Sequence, residues 1–205
     1  MAKKRKLKIS VKITIIVLAV VMVGAFYALI SRMLSEDPSL INDSVASYKT
    51  TINTYATRQG IGEYTELLEA IMMQESSGQG SDPMQSSECE FNEQYPKKHN
   101  AITSSDYSIE VGVKYFAKCL KQANVTNINE HSKLYLALQA YNYGVGYIDY
   151  ANDNGGYSYE NAVAFSNKCK QEQNLSVYGD SKYVYHVLRY YPNQTIVEEW
   201  LNTYH

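Results

Sequence analysis

The sequence contains few cysteines and histidines, which are the residues that form disulfides or bind transition metals. It has three cysteines and four histidines among 205 residues. Cys89, Cys119 and Cys169 are separated by 30 and 50 residues, and no histidine lies at metal-ligand spacing from them. An odd number of cysteines leaves at least one thiol free or paired with another molecule, and the spacing does not select a pair. We therefore predict no metal site and no catalytic thiol.

Acidic residues are absent from the first 34 positions, which carry seven of the 19 lysines and arginines. The rest of the chain holds 12 basic residues against all 21 Asp and Glu, a net charge of -9. Because phosphate binding requires a basic surface, this acidic body argues against DNA or RNA as the main partner. It also argues against tight docking on anionic lipid.

The basic N-terminus is followed by a long hydrophobic run. Residues 13–30 carry no charge and are interrupted only by Thr14, Gly24 and Tyr27. Extended to residues 11–34, a helix can cross the roughly 30 Å hydrocarbon layer of a membrane. Positive charge stays cytoplasmic, which places the N-terminus inside and the body outside the cell membrane. The alternative is a cleaved signal peptide, although the run is long for one and no A-x-A site follows it.

The exported body lacks the alternating Val, Ile and Thr pattern with hairpin turns that predicts β-strands, and it has no internal repeat. Apolar residues recur instead at helical spacing, so we predict an all-α body. The predicted helices cover residues 63–75, 107–122, 132–143, 159–173, 180–191 and 195–204. After the basic tail and transmembrane anchor (1–34), the predicted organisation is a helical stalk (35–59) and a catalytic domain (60–205). Residues 76–105 form a long polar loop, a feature that is often functional.

Glu75 is a candidate catalytic residue because it ends the helix predicted over residues 63–75 and shares the apolar face of Leu67 and Ile71. Burial and the negative end of the helix dipole both raise the pKa expected for this carboxyl. A carboxylic acid still protonated near neutral pH can donate to a leaving glycosidic oxygen. Asp82, seven residues later, can supply a second carboxylate. The competing interpretations are a solvated helix-end Glu and an ordinary Asp-Pro turn.

Aromatic residues are strongly biased, with one Trp and four Phe against 20 Tyr. Residues 139–147 read QAYNYGVGY, which places three tyrosines and one asparagine where a predicted helix ends at Gly144. Aromatic faces stack on sugar rings, while hydroxyl and amide groups hydrogen-bond sugar substituents. This segment is therefore a candidate sugar-binding site, although most of the 20 tyrosines are expected to be packing residues.

These motifs together resemble a known family. Residues 73–78 read MQESSG and residues 80–87 read GSDPMQSS, followed by the QAYNYGVGY segment. In this order they resemble the lysozyme-like domain of CwlT-type wall hydrolases from conjugative elements of Gram-positive bacteria. They are more remotely similar to goose-type lysozymes and soluble lytic transglycosylases. Residues 178–187 resemble the closing helix of the family, so the likeness covers about residues 60–191.

The resemblance implies an all-α, goose-type lysozyme-like fold with a groove for the β-1,4-linked glycan of peptidoglycan. It implies that Glu75 is the general acid and that Asp82 positions or activates the attacking water. The substrate-binding positions that it implies are Ser76, Gln85, Tyr141, Asn142 and Tyr183. It implies no metal and no cofactor.

The sequence departs from the transglycosylase pattern by having Asp82-Pro83 before Met-Gln, where Gly-Leu is usual. This difference favours an N-acetylmuramidase that hydrolyses the bond between N-acetylmuramic acid and N-acetylglucosamine. The alternatives are a lytic transglycosylase and a non-catalytic wall-binding or scaffold module. The expected partners are peptidoglycan, the membrane, and proteins of a conjugation or secretion complex. CwlT-type proteins usually carry a second, peptide-cleaving domain, and we find no Cys/His peptidase module before the chain ends at His205.

Overall fold

The computed structural model describes residues 40–204, which form nine α-helices and one 3₁₀ turn and contain no β-strand. The helices are α1 (Asp43–Ser47), α2 (Lys49–Arg58), α3 (Thr65–Ser76), α4 (Ser105–Gln122), α5 (His131–Tyr143), α6 (Gly146–Asp153), α7 (Tyr159–Gln173), α8 (Tyr183–Leu188) and α9 (Gln194–Tyr204), and the 3₁₀ turn is Gly62–Tyr64. The predicted all-α class is confirmed for these residues. The predicted membrane anchor, residues 1–34, lies outside them.

Within residues 40–204, none of the helices combines the length and the apolar character that a membrane crossing requires.

α3 is the central helix of the body because apolar side chains occur around most of its circumference. Its fully buried residues are Leu67, Leu68, Ala70, Ile71 and Met72. A helix that is apolar on nearly all sides must be surrounded by other elements. Helices α1, α2 and α8 pack against it. Glu75, in the last turn of α3, therefore lies at the end of a largely buried helix.

The short helix α8 contacts helices from both the N-terminal and the C-terminal parts of the described chain. It packs against α3, α5 and α9, while α5 also packs against α4 and α6. Tyr183, Val184, Val187 and Leu188 are its buried residues. α9 is anchored by Trp200, whose indole N–H donates to the Tyr157 hydroxyl at 2.9 Å. This arrangement brings the first residue of α8, Tyr183, to the C-terminal end of α3.

Helices α1 and α2 cover much of the predicted stalk, but they are packed into the body. Their fully buried residues are Val45, Ile52 and Ala56. The Asn42 side chain donates to the Ser77 carbonyl at 3.0 Å, and the Ser44 hydroxyl donates to the Gly78 carbonyl at 2.8 Å. Residues 42–58 thus differ from the predicted stalk, because their apolar stripe and polar caps meet the turn that follows α3.

The helices predicted from hydrophobic spacing are close to those observed. α7 has the predicted bounds, whereas α8 is shorter than the predicted residues 180–191. α6 was not predicted, because its glycine at position 146 and its polar end resemble a turn. Residues 77–104 contain no helix, as predicted for the long loop.

Candidate active site

Glu75 is half-buried at the end of α3 and accepts a short hydrogen bond from the Tyr183 hydroxyl. Burial raises the pKa of its carboxyl from the ordinary 4.5 to about 7. The hydrogen bond from Tyr183 lowers this pKa, whereas the negative charges of Asp82 and Asp180 raise it. Burial outweighs the hydrogen bond, so a large share of Glu75 is protonated at neutral pH. A carboxyl in this state can act as a general acid.

Tyr183 and Tyr141 form an aromatic wall beside Glu75. Their ring centroids are 6.4 Å apart and their planes differ by only 16°. Burial is the main cause that raises the pKa of both phenols well above the ordinary value of 10, and the charge of Glu75 raises them further. Both phenols therefore stay protonated and act as hydrogen-bond donors. Tyr183 donates to Glu75, and Tyr141 donates to the Met84 carbonyl at 3.1 Å.

Tyr141 approaches the loop closely because α4 has a glycine at the point of contact. A Cβ atom on Gly112 would lie 2.6 Å from the Cβ of Met84 and 2.9 Å from the Tyr141 hydroxyl. Real side chains do not pack at such distances, so a larger residue would push the loop or Tyr141 away. Gly112 therefore keeps α4, the loop and the tyrosine wall together.

Asp82 has a very different environment, although it is close enough to raise the pKa of Glu75. It is only 2% exposed. Its carboxylate accepts five hydrogen bonds: Oδ1 from the Ser86 N–H, the Ser86 hydroxyl and the Ser108 hydroxyl, and Oδ2 from the Ser87 N–H and the Ser87 hydroxyl. The shortest, from the hydroxyls of Ser87 and Ser108, are 2.6 Å long.

This hydrogen-bond set fixes the shape of the loop after Glu75. Ser87 also accepts from the Ile102 N–H at 2.9 Å, and Ser108 belongs to α4. Asp82 thus joins both ends of the loop to α4. Both oxygens of the Asp82 carboxylate are thus occupied by donors of the protein. The role implied for Asp82, to position or activate the attacking water, stays a prediction.

Ser76 and Gln85 are both tied to the same loop. The Ser76 hydroxyl donates to the Pro83 carbonyl at 2.8 Å and accepts from the Gly78 N–H at 3.1 Å. The Gln85 amide donates to the Asp82 carbonyl at 3.0 Å and to the Asn100 side chain at 2.7 Å. Ser76 thus connects the end of α3 to the loop, while half-buried Gln85 braces one side of it.

Asn142 is bound to Asp180, a residue for which no individual role was predicted. Its side-chain oxygen accepts from the Asp180 N–H at 2.7 Å. The buried Gln139 amide donates to the Asp180 carbonyl at 2.8 Å, and the Asp180 carboxylate contacts His186 Nδ1 at 2.5 Å. Asp180 therefore connects α5 to α8 and contributes charge that raises the pKa of Glu75. Nothing in the local sequence indicates this role, because only the fold brings these residues together.

The three cysteines are free thiols in the structure. Cys119 and Cys169 are buried, and Cys89 is partly exposed. Burial raises the pKa of the Cys89 and Cys119 thiols, which disfavours the reactive thiolate form. Among residues 40–204, no group of three or more His, Cys, Asp or Glu side chains is arranged to hold a metal ion.

The end-of-helix acid, the polar loop and the tyrosine wall all lie within a range that matches a known family. The lysozyme-like family model matches residues 42–200. The chain belongs to the lysozyme-like family. The matched range includes α1 and α2, in agreement with their packing against the turn after Glu75.

The chain is also similar to two proteins of Bacillus subtilis. The chain is 38% identical over 151 residues to the bifunctional muramidase/DL-endopeptidase CwlT of Bacillus subtilis, covering 73% of this chain and 42% of that relative. It is 33% identical over 128 residues to the uncharacterized membrane protein YocA of Bacillus subtilis, covering 62% of this chain and 53% of YocA. The predicted resemblance to CwlT-type proteins is confirmed.

A solved structure also has this fold. A crystal structure described as similar to a lipoprotein of the NLP/P60 family from Staphylococcus aureus matches with a TM-score of 0.62 and 29% identity. The match covers 76% of this chain and 55% of the other. The lysozyme-like chain thus spans about half the length of the relatives that it matches.

Proposed function

We propose that the chain is a peptidoglycan hydrolase, an N-acetylmuramidase that cleaves the β-1,4 bond between N-acetylmuramic acid and N-acetylglucosamine. One observation carries the proposal: Glu75 has a pKa of about 7 and is oriented by Tyr183 within a lysozyme-like fold. The relative CwlT, 38% identical in the matched region, is named a muramidase and supports the same reaction.

In this proposal Glu75 donates its proton to the glycosidic oxygen, and the bond between that oxygen and C1 of the muramic acid breaks. N-acetylglucosamine then leaves with a free hydroxyl, and water adds to C1 of the muramic acid. Tyr183 holds the Glu75 carboxyl in position, and the ionised Glu75 formed in the first step can take the proton of the incoming water. Proton donation of this kind contributes roughly 10²–10⁴-fold to a rate.

We assign Asp82 an electrostatic and positioning role in this reaction. Its charge raises the pKa of Glu75 and favours the positive charge that develops on the sugar ring. Its five hydrogen bonds hold the loop that carries Gln85. Ser76, Gln85, Tyr141 and Asn142 complete the proposed sugar-binding groove around this loop.

A lytic transglycosylase is the second candidate, and the environment of Asp82 favours it. Such an enzyme uses one acid, and the 6-hydroxyl of the muramic acid replaces water as the nucleophile. Because both oxygens of Asp82 are hydrogen-bonded by the protein and Glu75 has a raised pKa, the geometry is compatible with a reaction that uses Glu75 alone.

The two reactions are distinguished by the mass of the products released from purified peptidoglycan. A muramidase leaves muramic acid ends that borohydride reduces, whereas a transglycosylase leaves anhydro ends that are lighter by one water and resist reduction. Glu75→Gln should abolish release of either product. Glycan binding without any bond cleavage by folded wild-type protein would instead indicate a wall-binding or scaffold module, and the hydrolase proposal would be discarded.

We also propose that residues 11–34 anchor the protein in the cell membrane with the body outside. Their hydropathy and the basic residues before them support this topology. The relative YocA is named a membrane protein. Protease added to intact protoplasts should digest the body of an anchored protein, and recovery in the culture medium would favour the cleaved alternative.

A role in local wall opening during conjugative transfer is a proposal that rests on the family resemblance alone. Deleting the gene should lower the transfer frequency of its element. An unchanged frequency in cells without a redundant hydrolase would contradict the role.

A further inference from the structure

A second groove lies on the body, away from Glu75. It runs between the 3₁₀ turn that precedes α3 and the C-terminal half of α4, with Phe91 of the long loop at one side. Its volume is about 540 Å³, which is within the usual range for a small-ligand site.

One wall of this groove carries three lysines from a single face of α4. Lys114, Lys118 and Lys121 follow one another at spacings of four and three residues, which places them along one side of a helix. Lys118 is paired with Glu90 at 2.6 Å. Within residues 40–204, Lys114 and Lys121 form no ion pair. The groove therefore presents two uncompensated positive charges on a body whose net charge is -9.

Apolar side chains form part of the remaining surface of the groove. Ile61, Leu120 and Val125 line it. Phe91 is half-exposed beside them, with the Lys114 ammonium 4.6 Å from its ring centroid. Glu63 is the acidic residue on the rim that carries no ion pair among the described residues. The fitting ligand thus combines carboxylates, for the lysines, with short alkyl groups, for the apolar surface.

We propose that this groove binds the acidic peptide stem that is attached to N-acetylmuramic acid in peptidoglycan. The inference rests on the proposed function, and it specifies which part of the wall is recognised outside the cleavage site. A stem of alanine, γ-linked glutamate, a diamino acid and alanine offers methyl groups and free carboxylates within one short chain.

The distance between the two sites fits such a stem. Tyr64, which lines the groove, directly precedes α3, and Glu75 lies eleven residues further along this helix. At about 1.5 Å per residue, the helix separates the two by roughly 16 Å. Four extended residues span about 13–14 Å, and the lactyl group that joins the stem to the sugar adds to this length. The length of a stem thus matches the straight-line separation between Tyr64 and Glu75.

The proposal that the groove binds the peptide stem is tested by measuring the binding of a free stem peptide. The full 205-residue chain, held in non-ionic detergent, is titrated with a fluorescently labelled L-Ala-γ-D-Glu-L-Lys-D-Ala peptide, and anisotropy reports binding. The double variant Lys114→Gln/Lys121→Gln should raise the dissociation constant of the peptide about 5- to 20-fold, because two charge-assisted contacts are lost. The matched control is Lys168→Gln/Lys170→Gln on α7, which makes the same change of net charge and should bind like wild type.

Equal binding by the wild type and the groove variant would overturn the proposal, as would equal weakening in both double variants. A peptide with its γ-linked glutamate amidated should bind more weakly than the acidic peptide. A glycerol-phosphate polymer that binds the groove in preference to the peptide would also overturn the proposal, since it would assign the lysines to wall phosphate.

Kinetics separate a failure of this inference from a failure of the proposed function. On stem-bearing peptidoglycan, the groove variant should show a raised KM and an unchanged kcat. On glycan strands stripped of their stems by an amidase, the variant and the wild type should be alike. If neither substrate is cleaved by the wild type, the hydrolase proposal fails, whereas peptide binding that depends on Lys114 and Lys121 would still support the groove.

Discussion

The last turn of α3 and the loop that follows it each hold a carboxyl group, half-buried Glu75 and buried Asp82, and the two have very different surroundings. Glu75 accepts one hydrogen bond, from the Tyr183 hydroxyl, and its pKa is raised to about 7. Asp82, seven residues later and more buried, accepts five hydrogen bonds. Burial alone therefore does not determine what a carboxyl group can do.

The number of donors around each group accounts for the difference. A charged group taken out of water is costly unless donors replace the lost water, and each donor favours the ionised form. The serines at positions 86, 87 and 108 supply those donors to Asp82, whereas Glu75 has Tyr183 as its side-chain donor and shares the apolar face of Ile71. We infer that Glu75 serves the reaction and that Asp82 mainly serves the fold.

The largest expected effect comes from removing the acid. Glu75→Gln should reduce the release of glycan fragments by at least about 100-fold, because a general acid contributes roughly 10²–10⁴-fold. Thermal unfolding should occur at the same temperature as in wild type, or higher. Glu66→Gln, an exposed change on the same helix, is the control and should keep its activity. An active Glu75→Gln enzyme would contradict the assignment.

Asp82→Asn should lower stability more than any change at Glu75. An amide in place of one carboxylate oxygen faces the donors of Ser87, so the free energy of unfolding should fall by about 2–4 kcal/mol. Ser108→Ala removes one donor and should cost about 1–2 kcal/mol. Urea unfolding followed by circular dichroism measures both, with exposed Asp153→Asn as the control. A stable but inactive Asp82→Asn protein would restore a direct catalytic role to Asp82.

The pH dependence of stability gives a third test. The folded-state pKa of Glu75 is raised from 4.5 to about 7, so the folded state holds this proton more tightly than the unfolded state does. The stabilisation of the folded state by the proton on Glu75 is complete below pH 4.5, and it is lost as the pH rises to about 7. The unfolding free energy of Glu75→Gln, compared with wild type, should therefore increase by up to about 3 kcal/mol across this window. Parallel curves for the two proteins would show that the pKa of Glu75 is not raised.

A smaller effect is expected at Asp180. Its charge raises the pKa of Glu75, so Asp180→Asn should lower that pKa. Activity requires protonated Glu75, and the alkaline limb of the pH–activity profile should therefore move to lower pH. Asp149→Asn, an exposed change on α6, should leave the profile in place. If Asp180→Asn lowers activity equally at all pH values, the Asp180 carboxylate acts only through its contacts with His186 and the Lys182 N–H.

The sequence by itself was sufficient for the all-α class and for most helix positions. The periodic apolar residues of α3, α4, α5 and α7 specify both the helices and their buried faces, because helical spacing determines which side chains share a face. Glu75 was identified by the same argument, since it continues the buried stripe of Leu67 and Ile71. The raised pKa that was expected from this position agrees with the structure.

Other features depended on contacts between distant parts of the chain. Residues 42–58 resembled a polar stalk, yet Asn42 and Ser44 hold the turn at Ser77 and Gly78. The proposed roles of Asp180 and of the groove lined by Lys114 and Lys121 likewise depend on residues that are distant in sequence. Local patterning could not indicate these contacts, because it specifies a helix face and not the surface that the face meets.

The sequence thus determined the helices, the position of the candidate acid and the tyrosine-rich segment near it. Only the tertiary structure decided that Asp82 is fully hydrogen-bonded, that Tyr183 orients Glu75 and that α1 braces the active-site turn. The physical reason is that the chemistry of a carboxyl group depends on the donors and charges that surround it in space. Those donors come from α4, α8 and the long loop, which the fold alone brings to one place.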